Sequence, residues 1–316
     1  IFIDGIRDFA SYTRDTFNVE QVEVVKGPAS AQTGRGSTGG YINLFSKQPQ
    51  VGTFASGTLG LGQPNYVRGT ADMNLGGDSI GLGGGTAVRV NLMHHDADTP
   101  GRDHVETRRT GFAPSVAVGL GTSTRAILSY FRLKQKNQPD YGIPFVPNTN
   151  TALPEYRDEP APADFDNYYG VLDRDYEKTT TNIATFALEH DLTADVRLSN
   201  TTRYGYAVRD SVYSAPRFLN TTTTLIRAQP QSRDTVDKIL LNQSNVFAKF
   251  ETGAIRHDAI AGFEVSWERS RNQLRTVTDA TPTGLFDPDP ERPWSGTIVD
   301  IPGAVVRAKA DTVAAY

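Results

Sequence analysis

From Pro49 onward the chain alternates apolar and polar residues with a period of two, over runs longer than an ordinary sheet needs. In Ile260 to Arg269 one face reads Ala261, Phe263, Val265 and Trp267, and the other Gly262, Glu264, Ser266 and Glu268. Val196 to Arg209 splits into Val196, Leu198, Asn200, Thr202, Tyr204, Tyr206 and Val208 against Arg197, Ser199, Thr201, Arg203, Gly205, Ala207 and Arg209. In Gly111 to Leu120 the apolar face is Phe112, Pro114, Val116, Val118 and Leu120. Successive side chains of a strand point to opposite faces, so the pattern predicts strands with one apolar and one polar or small-residue face. Nine are expected near 54–62, 66–76, 86–96, 106–120, 125–137, 176–191, 196–213, 236–252 and 256–270, with a tenth beginning near Asp311. Many exceed the roughly 5–6 residues usual in globular sheets and suit the about 9–11 that cross a hydrocarbon layer.

The connections alternate in length. Gly121 to Thr124, Leu192 to Asp195 and Gly253 to Ile255 read as tight turns, whereas 138–175, 214–235 and 271–310 read as long polar loops. Short turns on one rim and long loops on the other are the habit of membrane barrels. Gln63-Pro64-Asn65 departs from it, being short on the long-loop side. The first 48 residues follow a different plan: short strands at Ile1–Ile3, Val22–Val25 and Tyr41–Phe45, a polar stretch from Arg7 to Asn18, and a small-residue segment from Ala29 to Gly40. This predicts a compact α+β element over 1–49 ahead of an all-β unit over 50–316.

Composition narrows the class. The net charge of -4 over 316 residues offers no basic stripe for nucleic acid. With no cysteine, disulfides, thiolate metal sites and Cys nucleophiles are excluded together. No apolar run reaches the length of a membrane helix, which leaves a membrane barrel open because its signal is alternation alone. The chain begins at Ile1 and ends at Tyr316 within a strand-like run, so truncation at both ends is expected.

Several local motifs read more simply than they first suggest. Gly34 to Gly39 spells GxGxxG, but a strand-like run follows it where a dinucleotide site needs a helix. His94 and His95 are adjacent on a strand and point to opposite faces, so they cannot chelate one metal together. Asp164, Asp166, Asp173 and Asp175 lack the spacing of a calcium loop and read as a solvated surface. No nucleophile elbow or Ser-His-Asp arrangement appears, and no catalytic or metal site is expected.

The run from Asn18 to Pro49 closely resembles the C-terminal half of the plug of TonB-dependent receptors, through Glu20, Glu23, Lys26, Gly27, Pro28, Gly34, Arg35, Gly36, Gly39, Gly40 and Asn43. Asp4 to Asp8 and Tyr12 to Asn18 are similar to the siderophore-receptor branch, and Pro139 to Pro144 to a loop of catecholate-type receptors. The resemblance implies a plug inside a barrel of about 22 strands, of which this chain would hold half a plug and nine or ten strands. It implies a monomer in the bacterial outer membrane that binds a ferric siderophore and imports it with energy from TonB and its inner-membrane complex. Iron enters only with the ligand; no cofactor, covalent chemistry or nucleic-acid partner is implied.

Physical reasons accompany the motif. The glycines would let the backbone turn where side chains would strike the barrel wall, and Pro28 would end its strand. Lys26, where family plugs often carry Arg, would pair with a barrel carboxylate. Arg7, Tyr12, Arg14, Tyr141, Tyr156, Arg157, Tyr168, Tyr169 and Arg174 are the candidate ligand contacts, since Arg offers charge and stacking and Tyr a flat face with a polar tip. Tyr12 and Arg14 would line the pocket from below, with 138–175 covering it from above. Import of haem, cobalamin or an oligosaccharide, a passive porin, and a soluble β-rich enzyme or adhesin are the competing expectations.

Overall fold

The computed structural model describes residues 1–28 and 39–316. Two sheets account for nearly all regular structure. The first is four-stranded: β1 (Phe2–Ile3), β2 (Ile6–Arg7), β3 (Val19–Lys26) and β4 (Gly40–Ser46), in the order β2-β1-β4-β3. Asp4 and Gly5, both at positive φ, turn β1 into β2, and the buried Asn43 accepts a hydrogen bond from the Gly5 amide (3.1 Å) to hold that turn. Pro28 stands one residue beyond the end of β3, after Gly27. Gly40 sits at φ +118°, where a Cβ would lie 2.1 Å from the Val25 carbonyl oxygen. The glycine is required by the plug's own hairpin and not by the barrel wall. Gly34, Arg35 and Gly36 lie outside the described residues. The helical part of the expected α+β element does not appear among the described residues, whose regular structure before Pro49 is all strand.

The second sheet runs antiparallel in sequence order through β5 (Phe54–Gly62), β6 (Tyr66–Gly76), β7 (Ala87–Asp98), β8 (Glu106–Val118), β9 (Thr124–Asn137), β10 (Tyr176–Asp191), β11 (Val196–Phe218), β12 (Leu225–Thr252), β13 (Ile255–Val277) and β15 (Ile298–Ala315). A short β14 (Thr283–Gly284) pairs with the start of β12. Among the described residues no helix is long and apolar enough to cross a membrane.

Alternation is inverted relative to a water-soluble sheet. Ala87, Arg89, Asn91, Met93, His95 and Ala97 of β7 are buried on one face of the sheet, as are Ala113, Ser115 and Ala117 of β8. The opposite face exposes Leu61, Phe112, Val118, Leu128, Phe186, Tyr204, Leu240, Phe263 and Trp267, with Leu61 73% exposed. A continuous exposed apolar band is stable only in an apolar surrounding, so this is the wall of a transmembrane barrel, polar and small inside, apolar outside. Phe263 and Trp267 take the outer face and Ser266 the inner, as their alternation predicts.

The wall is taller than the alternation showed. Two stretches expected as long loops are largely strand: β11 and β12 are joined only by 219–224, and β13 and β15 by 278–297. The tenth barrel strand starts at Ile298 and not near Asp311, with Pro302 at a bulge where the register with β13 shifts between Gln273 and Arg275. These extensions lie above the apolar band, where the outer face meets other loops and water. Nothing there enforces an apolar face, so Gln229 to Asp234 reads as loop while pairing as strand.

Candidate functional site

The small sheet sits on the inner face of the wall as a plug, and the 7–18 stretch is fastened there at several points. Phe9 packs with Ile183, Ala207, Ile239 and Leu241 beside Ile6. Tyr12 and Phe17 pack with Met93, Ala113 and Leu133. Two glycines of the wall act as sockets: a Cβ at Gly205 would lie 2.2 Å from the Phe9 ring, and one at Gly111 2.5 Å from the Phe17 ring. The Gln135 side-chain amide donates to the Thr13 carbonyl (2.7 Å). The stretch expected to be flexible is anchored at its apolar residues, and its polar ones occupy the positions between anchors.

Charge completes the seam, with a consistent polarity. Arg68 of β6 grips Asp15 through both carboxylate oxygens (2.6 and 3.1 Å), and Arg109 of β8 stands 3.6 Å from the same carboxylate. Burial pushes the Asp15 carboxyl up, but the hydrogen bonds and charge of Arg68 outweigh it and hold the group below its ordinary value. Arg203 of β11 donates to the Ile3 carbonyl (2.8 Å) and to Asp4 (3.3 Å), and Asp4 also accepts from the Ser46 amide and hydroxyl. Arg89 of β7 is held by its barrel neighbour Asp72 (2.7 Å) and reaches Glu20 (3.2 Å). Lys47 is the plug's cation in this seam, 3.1 Å from Asp72. Among the described residues the fork from wall to plug is that of Arg68 on Asp15, and Arg203 and Arg89 reach the plug carboxylates Asp4 and Glu20 through single contacts. Lys26 is exposed, and among the described residues no ion pair joins it to a barrel carboxylate.

Arg14 is held by Asp8 (2.6 Å), which also accepts from the Tyr12 hydroxyl (3.1 Å), and its guanidinium lies 4.7 Å over the Tyr12 ring. Burial first, then the Asp8 charge, push the Tyr12 phenol well above its ordinary range. Both residues line a cavity, but one enclosed between plug and wall, shared with Asp4, Asp15, Lys47, Ser115, Thr185 and Arg203. Arg7 is exposed on β2.

The 138–175 connection does not lie as expected. Tyr168, Tyr169 and Arg174 are each at most 2% exposed. The Tyr168 hydroxyl donates to the Pro139 carbonyl (3.1 Å) and the Tyr169 hydroxyl to that of Leu285 (2.6 Å). Arg174 pairs with buried Asp175 (2.9 Å) and donates to Ser214 Oγ and the Ala228 carbonyl. These three belong to the loop's own core and are buried there, and Asp175 is equally far from a solvated surface. The cause is register: Val212, Ser214, Ile226 and Ala228 take the outer face of the β11–β12 extension, above the apolar band, and the loop buries them with Val146, Ala161, Val171 and Leu285. Arg157 donates to the Asn150 carbonyl (2.7 Å) within a local turn, and Tyr156 is half-exposed beside it.

Only the start of the connection reaches the inner face. The exposed Tyr141 stacks on Tyr213 of β11, with ring centroids 4.6 Å apart and planes 7° from parallel. Burial first, then the Tyr213 hydroxyl, raise the Tyr141 phenol, and the charges of Arg209 and Arg233 pull against that shift. Tyr213, Arg209 and Arg233 share a face with Arg203 and Leu241, the inner one. Arg209 is itself paired with Glu177 (2.7 Å), so the stacked aromatic pair, with Arg233 as its further cation, is a platform for a flat anionic group. Arg209 and its face were visible in the alternation; Tyr213 closed the expected strand 196–213 without being marked as a contact, and Arg233 fell in a stretch taken for loop. The paired His94 and His95 point to opposite faces, one exposed and one buried. Among the described residues no cluster could hold a metal ion.

Residues 1–41 match the family model described as TonB-dependent Receptor Plug Domain. Over 332 aligned residues the chain is 36% identical to the catecholate siderophore receptor Fiu of Escherichia coli strain K12, covering 100% of this chain and 42% of that protein. It is 37% identical over 283 residues to the probable TonB-dependent siderophore receptor PiuA of Acinetobacter baumannii, covering 89% of this chain and 37% of that one. The crystal structure of the ferric-catecholate import receptor Fiu from E. coli K12, open form, superposes with a TM-score of 0.89 at 34% identity, over 99% of this chain and 49% of that one. The chain thus spans less than half the length of the relatives it matches.

Proposed function

This chain belongs to the TonB-dependent receptor family, and from that premise we propose that it works in the bacterial outer membrane as the ligand-binding and gating part of a receptor for a ferric catecholate siderophore. The outer rim is the one that carries the long loops, and import draws its energy through TonB. The protein supplies selective binding and a movable plug, with no covalent step.

One observation carries the choice of ligand class: the Tyr141–Tyr213 stack with Arg209 and Arg233 beside it on the inner face. A ferric tris-catecholate is a trianion with flat aromatic walls, and this platform offers a π-face and positive charge together. Among the residues expected to touch ligand, Tyr141 is the one on the platform, while Arg14 and Tyr12 line the cavity further in. The test is a binding screen on the receptor in detergent with ferric catecholate, hydroxamate and citrate complexes, together with Tyr141→Ala. The catecholate complex should bind tightest, and Tyr141→Ala should weaken it by about tenfold, the scale of one aromatic contact of about 1–1.5 kcal/mol. Preference for a hydroxamate or citrate complex would refute the assignment.

A further inference from the structure

The wall arginines and their plug partners form two separate sites on the inner face. Strand register sets Arg68, His95 and Arg109 side by side on β6, β7 and β8, around Asp15. Arg203 and its partner Asp4 stand on β11, three strands beyond β8. One plug–wall cavity is lined by Asp15, Asp4 and Arg203 together, with Arg14 and Lys47 beside them. At the first site Arg109 Nε is buried without a hydrogen-bond partner.

We propose that Asp15 and Asp4 are place-holders: they occupy, at rest, two anion sites of the barrel wall that take the anionic iron chelate in turn when the plug moves. This rests on the import reading given above. When the 4–15 stretch withdraws, Arg68 and Arg109 lose the carboxylate that neutralises them, and Arg203 loses Asp4. Arg89 does not join them, because Asp72 of its own wall keeps it paired. The exposed cations then have an unmet need for anionic oxygens, which a catecholate complex meets. The same cations attract the plug carboxylates back once the cargo has passed. A neutral or cationic solute gains nothing from this arrangement, so the path discriminates by charge after the outer platform has discriminated by shape.

The test compares surface binding with energised uptake in cells that carry no other ferric-catecholate receptor. The triple variant Asp15→Asn, Arg68→Gln, Arg109→Gln keeps amide hydrogen bonds at the seam and removes its charge. It should bind ferric catecholate as the parent does, with uptake at saturating ligand slowed at least tenfold. The pair Arg68→Lys, Arg109→Lys keeps the charge and loses the fork geometry, and should restore most of the rate. Uptake at the parental rate by the neutral triple would overturn the proposal, as would a lysine pair as slow as the neutral triple. If the parent binds no ferric catecholate, the ligand reading fails instead. The anion site is then decided on the purified receptor with Asp15→Ala: formate should raise its melting temperature, and should not do so when both arginines are also glutamine. Absence of that formate effect would sink the site by itself.

Discussion

Replacing Gly205 by alanine puts a methyl group where the Phe9 ring now sits. The added carbon would lie 2.2 and 2.4 Å from two ring carbons and 2.8 Å from the Ile239 methyl. Carbon contacts are comfortable only from about 3.5 Å, so the ring must withdraw by more than ~1 Å, and the strand cannot retreat because β11 is paired on both sides. Overpacking of this kind costs about 1–3 kcal/mol. Phe9→Ala removes the ring and leaves a cavity, at about 3–5 kcal/mol. The two are not independent. With the ring gone, a side chain at 205 fills part of the hole, so Phe9→Ala with Gly205→Val should cost less than the sum of the single changes by about 1–2 kcal/mol, within the usual range for touching residues. The free energy at issue is that of seating the plug, so the assay is amide exchange at β1 and β4 against β11 and β12, which separates local release from global unfolding. Plug amides should exchange faster in each single variant and partly recover in the double one, while barrel amides stay protected. Strict additivity, or equal acceleration in both sheets, would refute the socket.

Further outcomes follow from the same geometry. Asp15 is held below its ordinary value, so its contribution to seating is fully present above about pH 4, the unfolded carboxylate value, and is lost as pH falls through the folded value; plug exchange should accelerate in acid, and Asp15→Asn should flatten that dependence while costing about 1.5–3 kcal/mol at neutral pH. Val265→Arg on the outer face should cost about 2–4 kcal/mol near the bilayer midplane, read from unfolding in lipid, and a neutral result would place that strand outside the membrane. Arg174→Ala leaves Asp175 buried without its cation and should cost about 3–5 kcal/mol, seen as protease cleavage within 138–175; loss of ligand binding with the loop intact would restore Arg174 as a contact.

How much of this could be read from the chain depended on what surrounds each stretch. Within the bilayer, lipid enforces an apolar outer face, and the bounds of β5 to β10 fall within one or two residues of the expected ones. Above it, the same strands continue with an outer face buried under loops, as at Val212, Ser214, Ile226 and Ala228, and the alternation no longer reports orientation. That is why Arg233 went unrecognised, and why Tyr168, Tyr169 and Arg174 looked available. Composition marks a residue as able to bind; whether a loop packs outward or inward depends on residues 40 or more positions away, as Arg174 and Ser214 show. The plug was legible through motif and not through periodicity, since its strands are short and its anchors, Phe9 and Phe17, gain meaning only from glycines on the wall.

The polarity of the plug seam has a physical logic of its own. A part that must leave its seat repeatedly cannot leave behind groups whose exposure is prohibitive. An arginine on a paired strand is pre-organised, and its fork loses little entropy on accepting a new anion. A carboxylate on a connecting stretch is compact and readily solvated as it moves away, whereas a mobile arginine would have to be re-ordered, at a cost in side-chain entropy, each time the plug returned. Putting cations on the fixed wall and acids on the moving part therefore lowers the cost of each opening. It also leaves the wall, and not the plug, with the charge that an anionic cargo seeks. The exception supports the rule: Arg89 is the wall cation with a second, fixed partner in Asp72, and Glu20, its plug contact, is more than half exposed. That contact can break without stranding a charge on either side, so the opening free energy should be set by Asp15 and Asp4 and be nearly indifferent to Glu20.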